Sequence, residues 1–63
     1  MIYTLHSKTG YEYYTFSTEK YSYLVTVELF IDDERVVDMK KYYNYDDARK
    51  KYKLLLRQGF KKA

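Results

Sequence analysis

The chain has 63 residues, ten of them Tyr, and no Cys, Trp or Pro. That length allows one domain, residues 1–63, with one small core, and the lack of Cys excludes disulfides and thiolate zinc, so packing or self-association must stabilise the fold. The formal net charge of +3 conceals an asymmetry: Met1 to Glu34 carries two lysines against six carboxylates, a net of −4, and Arg35 to Ala63 carries ten basic residues against three acids, a net of +7.

Ile2–His6 reads as a first strand. It shows no basic region leading into an apolar run, so no signal peptide is expected. Ser7-Lys8-Thr9-Gly10 is a turn, and Tyr11–Phe16 a second strand whose facing stays open, because aromatics occupy both parities. Ser17-Thr18-Glu19-Lys20 is a second polar turn. Tyr21–Ile31 is the clearest strand: Tyr21, Tyr23, Val25, Val27, Leu29 and Ile31 alternate with Ser22, Thr26 and Glu28, which predicts a buried odd face. Leu24 and Phe30 fall on the even face, toward an uncovered side of the sheet. The nearly uncharged run Tyr21–Val27 is too short to span a bilayer, so no membrane partner is expected and a cytoplasmic location is the default.

Asp32-Asp33-Glu34-Arg35 is read as a third turn, followed by a strand over Val36–Tyr43. Its expected inward residues are Val37 and Met39, with Tyr43 continuing that parity; Val36, Asp38, Lys40 and Tyr42 take the other face. The helix follows. Asn44 is a suitable N-cap, and Asp46 and Asp47 occupy the first turn, where carboxylates suit the free N–H groups and the dipole. Tyr45, Ala48, Tyr52, Leu55 and Leu56 recur at three- and four-residue steps, Gly59 fits the position after the C-cap, and Phe60 can fold back on Leu55. The expected architecture is α+β: an antiparallel four-strand meander with one C-terminal helix packed on one sheet face, in the order β-β-β-β-α.

One helix covers one face of such a sheet, so the other is wet or binds something. Among the tyrosines, Tyr21, Tyr23, Tyr45 and Tyr52 are expected in the core. Tyr14 and Tyr42 are expected with Leu24 and Phe30 on the uncovered face, where an aromatic row can stack nucleobases or shield the sheet. The facing of Tyr3, Tyr11, Tyr13 and Tyr43 stays open.

Catalysis is not expected. There is one His, Ser7, Ser17 and Ser22 have no evident base and acid, and no glycine-rich phosphate loop occurs. His6 is a strand-end residue with no ligand partner, Asp32-Asp33-Glu34 lacks the ligand spacing of a calcium loop, and neither metal nor cofactor is expected. The leading feature is the run from Ala48 to Ala63, with seven basic residues and no acid. Arg49, Lys50, Lys53 and Arg57, with Lys61 and Lys62 beyond and Lys40 and Lys41 before, form a phosphate-binding candidate whose affinity would fall with salt. The plainer reading is a solvated face whose last cations suit the helix dipole. The partner is then nucleic acid or, alternatively, an acidic protein on which a small phage- or mobile-element-type inhibitor or adaptor docks, as a monomer or a homodimer.

Tyr45-Asp46-Asp47-Ala48, followed by Tyr52, Leu55, Gly59 and Phe60, is similar to the closing helix of WGR domains, small β-rich modules with DNA-binding members. The likeness covers about a third of the chain. The chain has no Trp, so the Trp-Gly-Arg signature is missing and no residue role is carried over.

Overall fold

The sheet's facing is set by its tightest turn. Asp32 and Asp33 both adopt positive φ, 50° and 65°, the signature of a two-residue type I′ hairpin turn. The computed structural model describes residues 2–63. It contains β1 (Ile2–His6), β2 (Glu12–Thr18), β3 (Tyr23–Ile31), β4 (Glu34–Tyr42), α1 (Tyr45–Arg57) and β5 (Lys61–Lys62). The strands form one antiparallel sheet in the order β4-β3-β2-β1-β5. The meander and its following helix match the expected α+β arrangement, with β5 as an addition.

Because only Asp32 and Asp33 make the turn, Ile31 pairs with Glu34, and every odd residue of β3 then pairs with an even residue of β4. Paired residues share a face. Tyr42, Lys40, Asp38 and Val36 therefore lie on the face of Tyr23, Val25, Val27 and Leu29. Val37 and Met39 lie opposite Glu28 and Thr26 on the other face, 45% and 64% exposed. Their expected burial is thus corrected, and Tyr43, whose facing the sequence leaves open, is 79% exposed. Placing Val37 and Met39 with the odd residues of β3 would take a turn with an odd number of residues; a turn of two residues, like one of four, pairs odd residues with even ones.

The odd face of β3 is the inward one over most of its length, with Val25 buried and Tyr23, Val27 and Leu29 half-buried; Ile31, expected on the same buried face, is exposed at the hairpin end. Tyr21 corrects the expectation at its start. It sits in the β2–β3 connection, is 81% exposed, and has the Lys20 ammonium 5.4 Å from its ring centroid. That connection is closed by Glu19, whose N–H donates to the Ser22 carbonyl at 2.8 Å and whose carboxylate accepts from Ser22 Oγ at 3.1 Å. β2 pairs with β3 so that Glu12 faces Leu29 and Phe16 faces Val25, which directs the even residues Tyr14 and Phe16 toward the helix.

The helix forms where local signals agree. Asn44 has extended backbone angles and its side-chain oxygen accepts from the Asp46 N–H at 2.8 Å. At the other end the Gly59 N–H donates to the Leu56 carbonyl at 3.1 Å and the Phe60 N–H to the Leu55 carbonyl at 3.0 Å. This is the paired bonding of a Schellman ending, with Gly59 at φ 96°. The reversal returns the chain to the sheet, where Lys62 pairs with Leu5 and Lys61 with His6, and the Ala63 N–H donates to the Thr4 carbonyl at 2.9 Å.

Leu5, Phe16, Val25 and Leu55 form the buried cluster, and Tyr14, Val27, Tyr42, Tyr52 and Phe60 pack around it. The aliphatic part is small, and edge-on aromatic pairs extend it: Phe16 on Tyr52 at 5.4 Å, Tyr14 on Phe60 at 5.4 Å and Tyr3 on Tyr52 at 6.2 Å between ring centroids. Such pairs add about 0.5–1.5 kcal/mol beyond the area they bury. Tyr52 is in this packing, as expected. Tyr45 is not a core residue: it stands at the first position of the helix, 55% exposed, with its ring at 5.6 Å from that of Tyr23.

Candidate functional site

The helix separates its cations from its core residues. Ala48 and Leu55 are buried and Tyr52 is half-buried. At about 100° per residue, Lys50, Lys53 and Arg57 fall within an arc of about 60° on the opposite side, and Arg49 sits on its shoulder. All four are exposed, and among the described residues none of them takes part in a salt bridge; the pairs present are Arg35–Glu28 at 2.8 Å and Lys41–Glu19 at 3.5 Å. Lys51 points elsewhere. It is half-buried with its ammonium 5.3 Å from the Tyr14 ring centroid.

The other candidate cations do not join this stripe as one patch. Lys40 and Lys41 are consecutive residues of β4 and so take opposite faces of the sheet. Lys40 lies on the helix side with its ammonium 5.1 Å from the Tyr42 ring centroid. Lys41 is on the open side, paired with Glu19. Lys61 and Lys62 divide the same way: Lys62, opposite Leu5, belongs to the helix side, and Lys61, opposite His6, to the open side.

Tyr14 and Tyr42 also need correcting. Both were expected on the uncovered face, and the pairing Leu5–Tyr14–Val27 and the pairing Tyr23–Tyr42 bring them to the helix side, against the core. Burial raises the pKa of the Tyr14 phenol above its usual 10.0, and the negative charge of Glu12 and the Tyr42 phenol add to the rise.

The open face carries a different aromatic row. His6, Tyr13 and Phe30 adjoin across β1, β2 and β3, with ring centroids 6.4 and 5.8 Å apart. His6 Nδ1 donates to the Ser7 carbonyl at 2.9 Å. Next along this face come Thr4, Thr15 and Thr26, of which Thr4 and Thr15 share a hydroxyl contact of 3.4 Å. Leu24 and Phe30 lie on this face, as their parity predicts. Tyr13 occupies the role expected of Tyr14, one residue away.

A second feature was not foreseen. Between the first half of α1 and the sheet lies a groove of about 480 Å³, walled by Tyr3, Phe16 and Tyr23 from the sheet and Tyr45, Ala48 and Tyr52 from the helix. Among the described residues its charged lining is Arg49 and Lys62, with no carboxylate. Ser17, Thr18 and Leu24 complete its rim on the sheet side. Tyr45 and Tyr52, each three residues before a buried residue, Ala48 and Leu55, were the available signal, but the groove requires knowing how the helix crosses the sheet.

Compared with known proteins, the chain matches no family model, and no curated protein and no solved structure matches it. The likeness of its closing helix to WGR domains therefore remains local. Among the described residues no helix is long and apolar enough to cross a membrane.

Proposed function

We propose that the protein is a small non-enzymatic nucleic-acid-binding protein that contacts phosphates through the outer face of α1. The observation that carries this reading is the stripe of Lys50, Lys53 and Arg57, flanked by Arg49, exposed and free of salt bridges among the described residues. Cations held on a rigid helix without internal carboxylate partners keep their charge available to an external polyanion, and each phosphate neutralised releases condensed counterions. Asp46 and Asp47 lie in the first helical turn and leave the rest of α1 uniformly basic.

The test is fluorescence anisotropy with duplex and single-stranded DNA and RNA at low and moderate salt, on the natural protein and on a Lys50→Glu/Lys53→Glu/Arg57→Glu variant. Binding at low salt that the charge reversal abolishes supports the reading. No binding at low salt, or binding that ignores the reversal, refutes it.

A second reading rests on the open face, where Phe30, Val37 and Met39 are exposed. Exposed apolar side chains on a sheet suit a protein partner, with the basic helix meeting an acidic surface or a second copy of the chain. A stoichiometric protein complex recovered from the native host and resistant to nuclease favours it over the first.

A further inference from the structure

The groove beside α1 combines an aromatic wall with a basic lining. Flat apolar rings from both sheet and helix and two cations, with no carboxylate among the described lining residues, select for a ligand that is itself flat, aromatic and anionic. A nucleobase joined to phosphate has those properties. The volume of about 480 Å³ falls within the range of about 300–1,000 Å³ usual for small-molecule sites.

The cations also have a direction. Arg49 lines the groove, and Lys53 and Arg57 follow it at four-residue steps on neighbouring turns of the helix. From Arg49 to Arg57 the helix rises about 12 Å, enough for about three phosphates of one strand. A free nucleotide has no use for that track, whereas a strand does. We propose that the groove takes an unstacked base of a single-stranded nucleic acid, with the neighbouring phosphates running along Arg49, Lys53 and Arg57. This inference rests on the phosphate-binding reading above and adds the strandedness of the ligand. Duplex DNA, whose bases are stacked and paired, can engage the helix but leaves the groove empty.

Tyr45 is the informative residue. It lines the groove while being 55% exposed, so its ring can be removed with little loss of core. The experiment compares three labelled ligands by anisotropy at low salt: an oligothymidylate of about twelve nucleotides, within the site sizes of small single-strand binders, an abasic strand of equal length, and the corresponding duplex. Free thymidine monophosphate serves as competitor. The proteins are the natural chain, Tyr45→Ala and Tyr45→Phe, each checked for folding by circular dichroism. The oligothymidylate is expected to bind at least about fivefold more tightly than the abasic strand, the gain typical of one stacked base. Tyr45→Ala removes that difference and Tyr45→Phe, which keeps the ring, retains it. Equal affinity for the two strands, or a difference untouched by Tyr45→Ala, overturns the base-binding groove while phosphate binding survives. Thymidine monophosphate binding as tightly as the oligomer overturns the claim of a strand. Failure of all three ligands to bind overturns both readings together.

Discussion

The leucines of α1 offer a direct test of how the helix is set on the sheet. Leu54, Leu55 and Leu56 are consecutive, yet they are 45%, 1% and 40% exposed. Leu55 is one of the few residues buried to this extent and packs into the cluster with Leu5, Phe16 and Val25. Replacing it with Ala removes three buried carbons, worth about 2.4 kcal/mol at about 0.8 kcal/mol each, and leaves a cavity that adds to the loss. The expected cost of Leu55→Ala is about 3 kcal/mol. A 63-residue chain has a total stability of roughly 3–9 kcal/mol, so this one change leaves the domain marginal or unfolded. Leu54→Ala removes the same atoms from a half-exposed site and gains slightly in helix propensity, so its cost is below about 1 kcal/mol. Urea unfolding followed by far-ultraviolet circular dichroism measures both. With a slope of about 1 kcal/mol per molar urea, the midpoint of Leu55→Ala falls by roughly 3 M. If both variants lose similar stability, or if Leu54→Ala loses more, the assigned helix phase is wrong.

Two further changes probe the turn and the core tyrosine. Asp33→Gly relieves a side chain held at φ 65° and removes one of three adjacent carboxylates, so it is expected to stabilise the protein by about 0.5–1 kcal/mol in the same urea assay; a loss of stability argues against the type I′ turn and the register it imposes. Tyr14 has a raised pKa in the folded protein, so the unfolded chain gives up that proton first as the solution becomes alkaline. Its contribution is fully present below the ordinary phenol value of 10.0 and is lost as pH rises through the folded value. Stability is thus expected to decline above about pH 10, and Tyr14→Phe to reduce the steepness of that decline; an identical alkaline slope in the variant contradicts the assignment.

The parts legible in the sequence are those fixed by neighbours along the chain. Asn44, the two aspartates and Gly59 define the helix through bonds spanning no more than five residues, and each is found where local chemistry puts it; of the apolar stripe, Ala48, Tyr52 and Leu55 pack inward, whereas Tyr45 and Leu56 are exposed. The alternation in β3 likewise identifies its inward face. The facing of β4 was not legible because it depends on whether the turn holds an even or an odd number of residues. Asp-Asp is a poor advertisement for a type I′ turn, which favours Asn-Gly or Asp-Gly. That single difference moved Tyr42 to the helix side and Val37 and Met39 to the open side. β5 escaped notice because two residues, Lys61 and Lys62, carry no pattern of their own and are strand only by pairing with Leu5 and His6. The basic stripe of the helix could be read from its spacing, whereas the groove beside it could not, since Tyr3 and Tyr23 come to Tyr45 and Tyr52 only through the crossing of helix and sheet.

The central claim is that the outer face of α1 binds phosphates, and the dependence of affinity on salt measures this most directly. Binding to single-stranded DNA, titrated by anisotropy across a range of salt concentrations, is expected to weaken linearly on logarithmic axes. Three or four phosphate contacts correspond to a slope of about −2 to −3, at about −0.7 per contact. Lys53→Gln should reduce the slope by somewhat less than one. An affinity independent of salt, or a slope unchanged by removing that charge, contradicts the claim.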